Sequence, residues 1–363
     1  MKTILHVTEA LGGGLAYSVS QLAQLQAREG WNVVLIHSVR PETPPPDLLD
    51  KLFPVPIQRI KVALVTPVSP WQDFLGVLRL AKIFRNLGPD VIHLHSSKGG
   101  VLGRTAALIT GLQDRVYYSP RGFSFLRQDV SLSKRRAYQW FEKIAARFGG
   151  TLVACSASEA ELGLKAVGHR RVILVENSIQ LENIRRAVRR SGDRVRVMTA
   201  GFINYAKAPW RFRDVAVSLE NEPADFVWVG DGQLRAELLV DGKLPANLTV
   251  SGWKKRQEVL EELALSDIFV LFSMWEGMPL ALIEAQATGL PVVVSNVVGC
   301  RDVVRDGVTG FVCTTMDEIV EKVRMLIVDE NLREKMGESA RAMAVERFSA
   351  ERMHREMLAV YGH

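Results

Sequence analysis

The run Ser273-Met274-Trp275-Glu276-Gly277-Met278-Pro279-Leu280-Ala281-Leu282-Ile283-Glu284-Ala285 sets two carboxylates on either side of a Gly-x-Pro step. It leaves an apolar, β-rich stretch and enters a helical pattern. Gly277 can take a backbone angle closed to other residues, and Pro279 suits a first helical turn. The amides around Leu280 that open the helix have no partners within it, and the helix dipole favours a phosphate oxygen there. A carboxylate beside that phosphate would be repelled. Glu276 and Glu284 are therefore better used to accept hydrogen bonds from hydroxyls on either side of a diphosphate, such as those of a sugar ring and a ribose. Acidic residues near a capped surface helix are common on electrostatic grounds alone, so the segment has to be weighed with the rest of the chain.

Glycine-rich turns after strands recur elsewhere. Leu11-Gly12-Gly13-Gly14 follows the first strand and precedes a helix, so the backbone at Gly13 and Gly14 can approach a ligand closely, although the spacing is not that of a dinucleotide fingerprint. Val229-Gly230-Asp231-Gly232 and Val250-Ser251-Gly252-Trp253 each close a strand, and Trp253 taken singly is more often a packing residue than a ligand contact. His93-Leu94-His95-Ser96-Ser97-Lys98-Gly99-Gly100 ends a strand and opens a helix. Alternation puts His93 and His95 on one face, but with no Cys or carboxylate nearby a metal pair is the weaker reading. No Asp-x-Asp pair occurs, which argues against a bound Mg²⁺ or Mn²⁺ and for a site without metal or other cofactor. Residues 132–148 form a cationic amphipathic helix with Lys134, Arg135, Arg136, Lys143 and Arg147 interleaved with Tyr138, Trp140 and Phe141. Such a helix either rests on an anionic membrane or turns its apolar side to the core.

The elements that must position these residues read as a doubly wound α/β chain. Short apolar runs at 3–7, 32–37, 91–95, 116–119, 152–156 and 172–175 alternate with helical stretches at 16–29 and 75–86, with Gly30 and Gly88 as plausible stops. The Pro-rich residues 41–46 form a loop. The alternation restarts at 195–200 and continues at 226–229, 248–251, 268–272, 292–295 and 310–313, with helices at 257–265, 280–288 and 317–328. The charge-rich stretch 181–194, with Arg185, Arg186, Arg189, Arg190 and Gly192, marks the boundary. Residues 1–190 and 191–347 are then two Rossmann-like domains, and a last helix in 348–363 is placed to pack back on the first. Open crevices at the carboxyl ends of the strands imply a ligand held between them.

Composition agrees with a two-domain protein of ordinary globular make-up and by itself names no function: 363 residues, 47% hydrophobic, net charge +6. The charge divides unevenly, +12 over residues 1–190 and −6 over 191–363, so the two halves face different partners. Three unpaired cysteines, Cys155, Cys300 and Cys313, suggest a reducing compartment. Without an export signal or an apolar stretch of about 20 residues, the expected location is cytoplasmic, with membrane contact only peripheral. Nucleic acid is a poor partner, since no helix-turn-helix or base-stacking platform accompanies the basic charge.

The donor-side string, continued by Ala287-Thr288-Gly289-Leu290-Pro291-Val292-Val293-Val294-Ser295, resembles the signature of the retaining glycosyltransferases of family 4, bacterial surface-polysaccharide type. The resemblance extends over most of the chain and implies two Rossmann-like domains facing across a cleft, the GT-B fold. It implies that Glu284 holds a ribose, Glu276 the transferred sugar, and the backbone of Gly277, Met278, Pro279 and Leu280 the distal phosphate. Gly13, Gly14, Gly201, Asn204, Gly230 and Trp253 would line the rest of the donor site. In Gly201-Phe202-Ile203-Asn204-Tyr205-Ala206-Lys207 the family pattern has Arg after the glycine and Lys five residues later. Lys207 matches and would offset the charge of the departing diphosphate. Phe202 does not match, so Asn204, Tyr205 or Arg211 would have to substitute. Ser96, Lys98 and Arg121 correspond to acceptor-side positions. Many relatives have a His where Arg121 stands, and an Arg cannot serve as a base near neutral pH, though it can bind oxygens during catalysis. The implied reaction transfers a hexose or N-acetylhexosamine from a nucleotide diphosphate sugar, UDP favoured, to a lipid-linked saccharide at the inner face of the plasma membrane. Two alternatives share the outline: a nucleotide-sugar epimerase, and a non-catalytic subunit that binds sugar nucleotides.

Overall fold

Short, mostly apolar runs rich in β-branched and aromatic residues suit strands covered on both faces. In the computed structural model, which describes residues 1–64, 68–188 and 194–362, they form two parallel sheets, each in its own compact unit. The first sheet contains β1 (Thr3–Thr8), β2 (Asn32–His37), β3 (Gln58–Lys61), β4 (Val91–His95), β5 (Val116–Ser119), β6 (Thr151–Ala154) and β7 (Val172–Leu174), in the order β3-β2-β1-β4-β5-β6-β7. Helices α1 (Gly13–Arg28), α2 (Pro46–Leu52), α3 (Pro70–Leu87), α4 (Ser97–Thr110), α5 (Leu132–Ala146) and α6 (Ala157–Leu162) connect them. Because successive strand residues point to opposite faces, Leu5 and Val7 join one apolar cluster and Ile4 another. The chain turns back at β1, whose neighbours are β2 and β4, with Thr8 paired to His37 and His95. Such a reversal opens a crevice beyond the carboxyl ends of β1 and β4.

The second sheet repeats the plan with β8 (Val195–Ala200), β9 (Ala224–Val229), β10 (Leu248–Val250), β11 (Ile268–Leu271), β12 (Val292–Ser295) and β13 (Gly310–Cys313), ordered β10-β9-β8-β11-β12-β13. Its reversal lies between β8 and β11. Helices α7 (Pro209–Ser218), α8 (Arg256–Ala264), α9 (Leu280–Thr288), α10 (Cys300–Val303), α11 (Met316–Val328) and α12 (Glu330–Arg347) surround it. Thr315 caps α11 through Glu318 N, a bond that typically contributes about 1 kcal/mol. Phe212, Phe226, Trp228 and Ile268 are buried in its core, and full burial of such a side chain stabilises by about 1.5–3 kcal/mol.

Three features differ from the sequence expectation. The sequence reading passed over the edge strand β3, and α2 starts at Pro46 within the stretch expected to be a loop. The compact units divide between Asn177 and Ser178, ahead of the expected boundary at 190, which itself lies in 189–193, outside the described residues. The described part of the intervening stretch, 178–188, carries no named strand but is fastened to the second unit through its backbone: Ile179 N donates to Phe348 O, Ala187 N to Thr288 O and Val188 N to Ala264 O. The last helix, α13 (Ala350–Gly362), belongs to the first unit, where Met353, Met357, Val360 and Tyr361 join the cluster of Ile4, Val33 and Val91.

Candidate active site

In the second unit, the loops leaving β8 and β11 meet at the sheet's reversal. After Gly201 the chain makes a single turn, Tyr205–Lys207, capped by Asn204 Oδ1, which accepts from Lys207 N at 3.1 Å. That turn is tied to the loop after β11 by Met274 N donating to Ala206 O. The tie brings the Lys207 ammonium to 2.6 Å from Glu276 Oε1, and Ser273 Oγ donates to the same oxygen at 2.7 Å. Both charged side chains are largely buried. Two predicted residues, 69 positions apart, thus form one cation–carboxylate couple.

Beside the couple, α9 begins at Leu280 with Pro279 as its extended N-cap, one residue outside the first turn. No side-chain oxygen caps this helix, so its leading amides have no such acceptor, which suits an incoming anion. The surrounding loops are packed backbone to backbone. A Cβ at Gly299 would lie 2.2 Å from Gly277 O, and one at Gly230 would lie 2.1 Å from Gly201 O, so neither position has room for a side chain.

Glu284 lies inside α9 with its carboxyl buried, apart from the Lys207–Glu276 couple. Burial pushes its pKa up, and an ion pair with Arg256 at the start of α8 acts against that. Sequence reasoning missed Arg256. A cue was present: Lys254, Lys255 and Arg256 gather at a helix start, where the dipole disfavours cations. Each of two of them answers a carboxylate, Lys254 pairing with Glu262 and Arg256 with Glu284. Trp253 is 65% exposed, with its ring 5.3 Å from that of Phe202, the residue standing where the family has Arg. Of the suggested substitutes, Tyr205 stacks on Trp275, and Arg211 directs Nη1 towards Phe272 O and Ser295 Oγ at 3.4 and 3.3 Å. Burial pulls the pKa of Arg211 down.

In the first unit, Gly13 opens α1 with φ +49°, and Gly13 and Gly14 are exposed. Lys98, in the first turn of α4, forms an ion pair with Asp73 at 2.7 Å. Arg121 has φ +55°, and its guanidinium donates to Ser18 Oγ and Asn177 Oδ1, each at 2.5 Å; burial holds its pKa below the ordinary value. Ser96 follows β4, its hydroxyl donating to Glu9. The sequence reading had not singled out Glu9.

His93 and His95 do share a face, and His6 of β1 joins them. Their nitrogens lie within 4.8 Å of one another, the one group among the described residues that could hold a metal ion. Hydrogen bonds already engage most of these nitrogens: His6 with His95 and Gln26, His93 with Tyr361 OH at 2.7 Å and Ser119 Oγ at 2.9 Å. Burial lowers all three pKa values, that of His6 to about 4, so the rings are neutral near pH 7 and tie α13 to the sheet.

On α5 the inner face holds Glu142 and Ala145. Glu142 accepts from Arg104 and Tyr118, while Leu132, Trp140 and Phe141 face outward. No helix among the described residues is long and apolar enough to cross a membrane.

Tandem Rossmann-like sheets of this order define the GT-B architecture. The model "Glycosyl transferase 4-like domain" matches residues 13–178 and "Glycosyl transferases group 1" matches residues 181–343. The chain is 32% identical over 270 residues, 69% of each chain, to the UDP-Gal:alpha-D-GlcNAc-diphosphoundecaprenol alpha-1,3-galactosyltransferase of Escherichia coli. It therefore belongs to this glycosyltransferase family and is a glycosyltransferase. It is also 24% identical to the capsular polysaccharide biosynthesis glycosyltransferase CapM of Staphylococcus aureus, over 81% of this chain and 82% of that one. Among solved structures, HepE of Anabaena in complex with UDP and glucose shares the fold with a TM-score of 0.79 at 16% identity, with full coverage of both chains.

Proposed function

We propose that the enzyme transfers a hexose or N-acetylhexosamine from a UDP-sugar to a lipid-linked saccharide during surface-polysaccharide synthesis, with retention of anomeric configuration and without a metal ion. The observation that carries this reading is the Lys207–Glu276 couple beside the uncapped start of α9. An ammonium and open amides in one place can take up the charge that a nucleoside diphosphate gains as it leaves, which is where a transferase needs stabilisation. With a donor bound, Lys207 turns from Glu276 to the diphosphate, and Glu276 accepts from sugar hydroxyls. Glu284, paired with Arg256, accepts from the ribose. The leaving phosphate itself takes the proton of the incoming hydroxyl on the same face of the sugar, so no carboxylate base is required. The names of the E. coli and S. aureus relatives support the lipid-linked acceptor and the polysaccharide context. The outward Leu132, Trp140 and Phe141 among the cations of α5 support peripheral binding to an anionic membrane at the cytoplasmic face, where such an acceptor is embedded.

The test incubates purified enzyme with UDP-galactose, UDP-glucose or UDP-N-acetylglucosamine and GlcNAc-diphosphoundecaprenol, with and without EDTA. An α-linked disaccharide product whose yield EDTA leaves unchanged is the expected result. A β-linked product refutes retention, and loss of turnover in EDTA refutes the metal-free site. An isomerised nucleotide sugar formed from donor alone would favour the epimerase. Donor binding without turnover would favour a binding subunit.

A further inference from the structure

The crevice of the first sheet carries a polar cluster in which only Ser96 had an expected role, as an acceptor-side position. Thr8 of β1 and His95 of β4 are paired, so the next residues, Glu9 and Ser96, emerge side by side beyond the carboxyl ends of the two strands where the sheet order reverses. That is the place where open α/β sheets take ligands. Glu9 is only 7% exposed, although it is a carboxylate. Ser96 Oγ donates to its Oε2, and the Arg40 guanidinium stands 3.7 Å from its Oε1. The latter distance is too long for a hydrogen bond and leaves Oε1 able to accept. Ser96 holds this position with φ +66° and ψ +158°, a region nearly reserved for glycine. The second unit has the same grouping at its own reversal: Glu276 accepts from Ser273 and faces Lys207.

We propose that Glu9, oriented by Ser96 and charge-balanced by Arg40, is the acceptor-recognising residue of the first unit. It accepts a hydrogen bond at Oε1, beside Arg40, from a hydroxyl of the acceptor saccharide. The cluster differs from its counterpart in the useful respect: Lys207 closes directly on Glu276, whereas the cation beside Glu9 stands beyond hydrogen-bond distance, so Oε1 keeps its capacity to accept. The assignment rests on the reading that the first unit takes the acceptor.

Initial rates are measured for wild type, Glu9→Gln and Ser96→Ala while GlcNAc-diphosphoundecaprenol and UDP-sugar are varied independently. UDP binding is followed by calorimetry and folding by thermal melting. The series is repeated with single-deoxy analogues of the terminal GlcNAc. Loss of a hydrogen bond to a charged group corresponds to about 10- to 100-fold. Glu9→Gln is expected to raise the acceptor KM by that factor while the donor KM and UDP affinity stay constant, with Ser96→Ala milder in the same direction. One deoxy analogue should be a correspondingly poorer substrate for wild type but no worse than the parent acceptor for Glu9→Gln. An acceptor KM unchanged in a folded Glu9→Gln protein overturns the proposal, as does a rise confined to the donor KM. If wild type binds UDP but transfers to no acceptor, the reading of unit 1 as an acceptor domain fails instead, and the assignment of Glu9 falls with it. If Glu9→Gln does not fold, Ser96→Ala decides by the same two KM values.

Discussion

Replacing Arg256 by Met removes the cation that faces Glu284 and leaves a buried carboxyl group alone. Two outcomes compete. The group can stay charged, at a cost of about 3–5 kcal/mol for breaking a buried ion pair. Otherwise it takes up a proton, whose cost depends on how far the solution pH lies above the value of the unfolded chain, 4.5. At 1.36 kcal/mol per unit, neutralisation costs about 4 kcal/mol at pH 7.5 and about 1.4 kcal/mol at pH 5.5. The protonated route thus sets a ceiling that falls with pH. The sign follows from linkage. In the variant the folded state holds a proton that the unfolded chain releases above pH 4.5, so the folded state binds more protons and stability declines as pH rises. For a unit of this size, each kcal/mol moves the melting temperature by about 2–4 °C. Arg256→Met should therefore melt roughly 8–16 °C below wild type at pH 7.5 and about 3–6 °C below at pH 5.5, read on the transition that bound UDP raises. Arg256→Met/Glu284→Gln, which leaves no charge to bury, should recover most of the loss at pH 7.5 while binding UDP poorly. A single variant that melts with wild type at both pH values, or a deficit that grows on acidification, would refute the reasoning.

Lys207→Ala should lower kcat by about 10²–10³-fold at saturating donor with little change in melting temperature, since Ser273 still holds Glu276; a kcat within threefold of wild type would remove Lys207 from the transition state. Acid should weaken the first unit. The unfolded chain protonates His6 below pH 6.5, whereas the folded state resists until about 4, so stability falls by about 3 kcal/mol across that window from His6 alone, and His169, held at about 3, adds to it. Circular dichroism melts at pH 7.5 and 5.0 check this, and an equal or higher melting temperature at pH 5.0 contradicts it. Trp140→Glu/Phe141→Glu should lose binding to phosphatidylglycerol vesicles in a flotation assay and keep its turnover on a detergent-solubilised acceptor. Unchanged flotation would place the membrane face elsewhere.

What the sequence disclosed and what it hid have a common physical origin. Strands sandwiched between helices must be largely apolar on both sides, so twelve of the thirteen strands stood out as short apolar runs. The missed strand, Gln58-Arg59-Ile60-Lys61, lies at the sheet's edge, where its exposed side chains need not be apolar. Glu276, Glu284 and the helix start at Leu280 could be picked out because they share one local segment, and Lys207 because its segment matches the family pattern after Gly201. Arg256 and Glu9 act through partners 28 and 87 residues away, Glu284 and Ser96, and only the folded sheet order brings those pairs together. The boundary shows the limit most clearly. Arg185 and Arg186 face water, and facing water is compatible with belonging to either unit. Membership is decided by where the backbone finds its hydrogen-bond partners, and Ala187 and Val188 find theirs at Thr288 and Ala264, in the second unit. A run of charge can therefore mark a surface without marking a hinge.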